Sequence, residues 1–284
     1  MRIARFGHAG NTYTGAVADG TVHPLRQSLD ELIAGAAPEP LPIPPIALAD
    51  VELHTPISSD CRGVFCVGIN YFDHQVESAD TFVATVPEHP IIFFKTTSAL
   101  CAPYDDLNLA ADMSSEFDWE VELGVVIGTA GRNIARESAA EHIYGYTVIN
   151  DITARDVQRR HTQWHLGKNV DRSTPVGPWI VTADEFDDPL ELDIALTVNG
   201  EPMQRANTRD MIFPVDQQIA VISQYVALRP GDVIATGTPS GVGFARTPPR
   251  FLTDGDVVET VIDGVGTLHN RIVARAGAVA VGVS

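Results

Sequence analysis

One stretch of this chain can fold in very few ways. Asp118-Trp119-Glu120-Val121-Glu122-Leu123-Gly124-Val125-Val126-Ile127-Gly128 runs from acidic residues into an apolar, β-branched segment, the pattern of a buried strand. Side chains at i and i+2 of a strand share a face. Glu120 and Glu122 therefore converge on one side of a segment whose other residues belong in a core. Burying two like charges together is costly unless something neutralises them, and a divalent cation does so most simply. A third carboxylate, Asp151, ends a second apolar run, Tyr144-Gly145-Tyr146-Thr147-Val148-Ile149-Asn150-Asp151. Three oxygen ligands, with no Cys and no required His, suit a hard ion such as Mg²⁺, Mn²⁺ or Ca²⁺ rather than Zn²⁺. The competing reading, a solvated acidic face, is opposed by the apolar neighbours.

The chain has 284 residues, room for one large domain with a small appendage or for two modest domains. A net charge of −18 argues against nucleic acid as a partner. A small anionic substrate needs a local positive pocket against that field. No apolar run reaches the roughly 18 residues of a membrane span, and Met1-Arg2-Ile3-Ala4-Arg5-Phe6 lacks the core of a signal peptide, so no membrane partner is expected. Cys61, Cys66 and Cys101 are odd in number and form no CxxC pair, which predicts reduced thiols and a cytoplasmic protein. Only two lysines, Lys95 and Lys168, stand against seventeen arginines. A Lys kept in such a chain marks a place for a compact point charge that Arg's planar fork would not suit, unless coding bias alone left two.

Residues 1–53 read as a small N-terminal domain and linker, and 54–284 as the main domain. Tyr13 to Val22 alternates about Asp19-Gly20, a hairpin signal. Ser28-Leu29-Asp30-Glu31 predicts a capping box opening a short helix. Pro38-Glu39-Pro40-Leu41-Pro42-Ile43-Pro44-Pro45 reads as a stiff linker. Beyond it, short strands are predicted at 64–68, 91–95, 121–127, 144–149, 179–182, 192–198, 232–236, 257–262 and 265–273. Asn199-Gly200 and Asp263-Gly264 turn hairpins. One helix carries Val215, Ile219, Ile222 and Val226 at helical spacing, with Pro230-Gly231 as its stop. Strands that do not alternate with helices point to a mixed α/β, β-rich architecture rather than a Rossmann fold or TIM barrel.

Other positions carry chemistry. His74 and Glu77, three apart, share a face of a helical turn, and a carboxylate beside an imidazole orients it as a general base. Taken alone, a surface His with an incidental neighbour explains them as well. Thr236-Gly237-Thr238-Pro239-Ser240-Gly241-Val242-Gly243 lacks the Lys of a P-loop and the spacing of a dinucleotide fingerprint. Its amides and hydroxyls can hold a carboxylate, or it is a plain Gly-rich turn. His161 and His165 are spaced as in a zincin helix, but Thr162 stands where that motif needs Glu, so the pair reads as structural or rim. No G-x-S-x-G elbow supports a Ser hydrolase.

Glu120-x-Glu122, Asp151-Ile152-Thr153-Ala154-Arg155-Asp156-Val157-Gln158, Gly167-Lys168 and Thr236-Gly237-Thr238-Pro239 together give a chain that resembles the fumarylacetoacetate hydrolase family over roughly residues 60–275. The N-terminal unit and Arg246-Thr247-Pro248-Pro249-Arg250-Phe251-Leu252 look like the branch of 2,4-diketo-3-deoxy-sugar-acid hydrolases and acylpyruvases, which includes proteins often labelled ureidoglycolate lyase. The resemblance implies a mixed β-sandwich roll with a small N-terminal α+β domain, a homodimer, and one Mg²⁺ or Mn²⁺ on Glu120, Glu122 and Asp151. It makes His74 and Glu77 a water-activating pair on a lid and Lys168 a charge partner for the substrate. Arg155, Gln158, Thr238 and Gly237 fall at substrate-binding positions. Asp73 is the nearest candidate for the fourth carboxylate some members add, and it is not carried over. Asn169-Val170-Asp171-Arg172-Ser173 departs from the commoner Ser-Phe-Asp-Thr-Phe, which alters the pocket wall.

The expected reaction is hydrolysis of a carbon–carbon bond in a 2,4-diketo acid. His74 takes a proton from water, hydroxide attacks the C4 carbonyl, the C3–C4 bond breaks, and pyruvate or a related keto acid leaves through its enolate. Decarboxylation, isomerisation or hydration of an oxaloacetate-like or 2-oxo-dienoic acid needs the same enolate-stabilising site without that attack. A non-catalytic metal-dependent binding protein is the reading of a different class.

Overall fold

The computed structural model describes residues 1–82, 85–186 and 191–273; the last residues of the expected 54–284 domain lie outside them. Two sheets form the body, and the acidic strand lies where they face each other. The larger runs, in order, through Ile46–Ala47, Thr21–Leu25, Asn11–Ala18, Arg2–His8, Thr174–Thr182, Ile143–Asn150, Val121–Ile127, Val233–Ala235, Val64–Gly68 and Ile91–Lys95. The smaller has five strands in the order Glu201–Asn207, Asp193–Val198, Val257–Ile262, Gly266–Val273 and Leu107–Asn108.

Alternation within Val121–Ile127 explains the layering. Val121, Leu123, Val125 and Ile127 enter one core with Ile194, Leu196, Val198, Val258 and Leu268 of the smaller sheet. Val126 points the other way, into a core with Val64, Cys66, Val233, Ile149, Ile180 and the apolar residues of the Leu29–Ile33 helix. Glu122 and Gly124 share Val126's face by the same period. Every residue of the strand is buried, so the carboxylates have no solvent escape. The architecture is the mixed, strand-rich fold expected, a sandwich with short helices at its edges.

The Ser28 capping box is present, and the hairpins at Asp19-Gly20, Asn199-Gly200 and Asp263-Gly264 all form. Four details differ from the sequence reading. The strand expected at 179–182 begins at Thr174. The helix of Val215 ends at Tyr225, before Pro230-Gly231, with Val226 already extended. The Pro-rich segment, read as a stiff linker, is also pinned along the sheet. Leu41 N–H donates to Pro24 O, and Val22 pairs with Ile46. The first strand, Arg2–His8, has too little alternation to stand out, yet it joins both parts of the chain by pairing antiparallel with Thr174–Thr182 through Arg2↔Val181 and Ile3↔Ile180.

Candidate functional site

Strand register assembles the acidic trio. Val121 pairs with Asn150 and Glu122 with Ile149 across adjacent antiparallel strands, so Glu120 lies opposite Asp151, whose N–H donates to Glu120 O at 2.9 Å. Opposite residues on one face bring their side chains within about 5 Å, and Glu122 sits one pleat further along. Glu120, Glu122 and Asp151 are all buried, with ligand oxygens within 4.8 Å of one another. Asp73 is exposed and stands apart from them.

Both lysines of the chain are at this trio. Lys168 Nζ lies 2.5 Å from Glu120 Oε2 and 2.7 Å from Asp151 Oδ2, and Lys95 Nζ lies 2.6 Å from Asp151 Oδ1. Arg155 reaches Glu120 Oε1 at 2.7 Å and Asp118 Oδ2 at 2.8 Å. Asp118 also accepts from the amides of Trp119, Gly243 and Phe244. Glu122 differs from its neighbours. Among the described residues, its carboxylate takes a hydrogen bond from Gly237 N–H alone, at 2.8 Å, and no cationic side chain lies within ion-pair distance of it. Burial, then the Asp151 and Glu120 charges, push the Glu122 carboxyl well above the usual range. Burial would raise Glu120 too, but Lys168 and Arg155 overcome it and hold that carboxyl down to about 2.

This donor set fits a hard divalent cation. Four carboxyl groups, those of Asp118, Glu120, Glu122 and Asp151, face three cations, Lys95, Lys168 and Arg155, so ionising all four leaves one net negative charge, and Glu122 is the one whose burial and neighbours oppose it. A divalent ion gives Glu122 the partner it lacks and turns the cluster to one net positive charge, the sign an anionic ligand needs.

The pocket over the trio is lined by His74, Glu120, Glu122, Arg155, Gln158, Lys168 and Thr238, with Phe82, Phe93 and Trp164 as apolar wall. Phe82 packs edge-on against Trp164 and Phe244, their ring centroids 5.8 and 5.4 Å away. Phe244 also covers the Arg155 guanidinium at 4.6 Å. His74, on the Phe72–Ser78 helix, has Nδ1 2.7 Å from Glu77 Oε1, and Glu77 Oε2 accepts from Gly241 N–H at 2.9 Å. A carboxylate at Nδ1 fixes the proton there and leaves Nε2 as the basic nitrogen. Gln158 Oε1 accepts from Arg155 Nη1 at 3.1 Å. His161 and His165 are exposed and do not line the pocket.

The Gly-rich loop does hold carboxylates, and they are the chain's own. Gly237 serves Glu122, Gly241 serves Glu77, and Gly243 serves Asp118. Gly237 is thus turned to Glu122 rather than to the pocket. Gly237 has φ +96° and Gly241 +102°, and a Cβ on Gly241 would sit 2.0 Å from Met203 O, so glycine is required where these amides point inward. Sequence reasoning brought His74, Glu77, Lys168, Arg155, Gln158, Thr238 and the trio to this one place. It left out Lys95 and Asp118 from the site. Lysine rarity had marked Lys95, and Asp118, two residues before Glu120, shares the acidic face by the same period.

Known proteins match this chain throughout. The family model described as "Fumarylacetoacetate (FAA) hydrolase C-terminal" matches residues 63–273, and one described as "Rv2993c-like, N-terminal" matches residues 1–56. An oxaloacetate tautomerase of Bacillus subtilis (strain 168) is 42% identical over 226 residues, 80% of this chain and 74% of that protein. A 2,4-didehydro-3-deoxy-L-rhamnonate hydrolase of Sphingomonas sp. (strain SKA58) is 39% identical over 279 residues, 96% of each chain. The crystal structure of a 2-hydroxyhepta-2,4-diene-1,7-dioate isomerase from Mycobacterium marinum is similar with a TM-score of 0.82 at 33% identity, covering 98% of this chain and 100% of that one.

Proposed function

The chain belongs to the fumarylacetoacetate hydrolase family, and from that premise we propose that it isomerises a small oxaloacetate-like 2-oxo acid between keto and enol forms. The observation that carries this is the His74–Glu77 pair beside a buried, cation-rich acidic cluster. Keto–enol exchange asks for one base to lift and return a proton and for positive charge where the enolate forms. It needs no activated water, so it asks less of the site than the hydrolysis the motifs suggested. The relatives named as a tautomerase and an isomerase favour the same reading.

Glu120, Glu122 and Asp151 would hold Mg²⁺ or Mn²⁺, and the ion supplies Lewis-acid polarisation of a keto oxygen. His74 Nε2 takes a proton from the substrate's C3, and Glu77 stabilises the imidazolium. The proton then returns to the enolate oxygen, so atoms and charge balance without a co-reactant. Lys168 and Arg155 keep positive charge beside that oxygen, and Gln158 and Thr238 orient the substrate. The aromatic wall of Phe82, Phe93 and Trp164 excludes water. We take the protein to be a cytoplasmic homodimer, in keeping with its three unpaired cysteines. No helix among the described residues is long and apolar enough to cross a membrane.

The test follows the enol absorbance of oxaloacetate with purified protein and Mg²⁺. Its decay should accelerate and a chelator should stop it; decay at the buffer rate sinks the proposal. Carbon–carbon hydrolysis is the second reading, favoured by the rhamnonate hydrolase, whose match spans both parts of the chain. Pyruvate release from a panel of 2,4-diketo acids separates the two.

A further inference from the structure

Gln204 lies on Glu201–Asn207 of the smaller sheet, has no role in the site as described above, and is 2% exposed. Its Oε1 accepts from Val121 N–H at 3.0 Å, between the two glutamates of the trio. Its Nε2 donates to Pro239 O and to Thr238 Oγ1, each at 2.8 Å. Two of these partners are backbone groups of fixed sense: an amide N–H only donates and a carbonyl only accepts. The Gln204 amide can therefore sit only one way round. Both its N–H bonds are used, and one of them ends on the Thr238 hydroxyl. Thr238, having accepted, keeps its own proton for another partner. No described residue takes that proton, and Thr238 lines the pocket.

We propose that Gln204 is a positioning residue that fixes the Thr238 hydroxyl as a donor into the pocket, so that this corner takes a ligand oxygen carrying no proton, such as a carboxylate or enolate oxygen. Gln158 works in the same sense, because its Oε1 is spent on Arg155 and leaves its N–H bonds for the ligand. These two uncharged side chains of the pocket thus both donate. A carboxylate or enolate gains a hydrogen bond from each, whereas a hydroxyl proton or amide N–H would have to share oxygens already engaged by Gln204 and Arg155. The inference rests on the reading of the pocket as a keto-acid site.

The experiment is a double-mutant cycle on oxalate binding, measured by calorimetry with Mg²⁺ present. Oxalate offers only acceptors. The proteins are the wild type, Gln204→Leu, Thr238→Val and the double variant, with Mg²⁺ affinity measured in parallel. Gln204→Leu should weaken oxalate by about 3- to 10-fold, the worth of one oriented hydrogen bond. In the Thr238→Val background the same change should cost nothing further. Equal losses in both backgrounds, or no loss in either, overturn the proposal, since a purely structural role would not depend on the Thr238 hydroxyl. Should Gln204→Leu fail to fold, the isosteric Gln204→Glu keeps the acceptor for Val121 but lacks a fixed donor for Thr238, and must give the same pattern. A wild type that does not bind oxalate also overturns it. Intact coupling with no acceleration of enol decay would instead remove only the proposed reaction.

Discussion

Glu120 and Glu122 are one residue type, two positions apart on one strand, yet their surroundings push them in opposite directions. Glu120 has Lys168 and Arg155; Glu122 has one backbone amide. Glu120, held down to about 2, stabilises the fold above the ordinary carboxylate range and loses that contribution as pH falls toward its folded value. Glu122, raised, costs the metal-free protein stability as pH climbs from the ordinary range through its folded value. Glu122→Gln should therefore stabilise the metal-free protein by roughly 1 kcal/mol or more near neutral pH, and the gain should vanish in acid. Denaturant melts with chelator at several pH values read this directly. The same variant should bind Mg²⁺ at least about tenfold more weakly, since one charged ligand of three is gone. Because burial and the Asp151 and Glu120 charges favour the protonated Glu122, Mg²⁺ binding should be linked to its deprotonation. Calorimetry in buffers of different ionisation enthalpy should show proton release, with affinity rising with pH. Lys95 is fully buried against Asp151, and Lys95→Met should cost about 1.5 to 3 kcal/mol, the worth of a charge-assisted hydrogen bond, because Lys168 still faces that carboxylate; a denaturant melt of the variant checks this.

The loop after Val233–Ala235 unites the site at the scale of an element. A strand ending at Ala235 delivers the loop beside Val121–Ile127 through the Gly124↔Ala235 pairing, and three of its amides then meet Glu122, Glu77 and Asp118. Asn70 secures it by donating to Thr236 O at 2.6 Å while accepting from Phe213 N–H at 2.8 Å. Gly241→Ala forces a Cβ into Met203 O at a positive φ, a strain of about 1 to 3 kcal/mol. It also loosens Glu77 and hence His74. Turnover should fall steeply while Mg²⁺ affinity stays within a few-fold, because Glu122 keeps its Gly237 contact. Isomerase assays beside metal titrations check this; a parallel loss of metal binding would show that the loop does not separate the two roles. The glycines were legible as punctuation. Their partners were not, because Glu77 and Glu122 lie 164 and 115 residues away in sequence.

For the molecule as a whole, the continuity of the large sheet decides how the two parts of the chain depend on each other. Arg2–His8 covers the edge of Thr174–Thr182, and Leu29, Leu32 and Ile33 share a core with Val64, Cys66 and Ile180. Removing residues 1–53 would bare the Ile180–Val181 edge of that strand, an unpaired template for association, together with the apolar residues that pack on Leu29, Leu32 and Ile33. The truncated chain should aggregate or run as broad oligomers in size-exclusion chromatography, and a well-behaved, active truncation would contradict this. The thiols are part of the same interior. Burial raises all three and lifts Cys61 to about 11, so they stay protonated at neutral pH and are poor nucleophiles.

Periodicity and residue type determined locally what local physics controls: the main strands, the three hairpin turns, the helix cap and the convergence of Glu120 with Glu122. Motif order identified the family and the set of residues that gather at the pocket. Tertiary structure decided the rest, because it depends on partners far apart in the chain. Register set Glu120 against Asp151, packing placed both lysines on the acids and left Glu122 without a cation, and the loop turned its amides inward. Spacing within one strand can say that two charges must meet. Only the folded chain supplies the partners that make one of them a strong acid and the other a weak one.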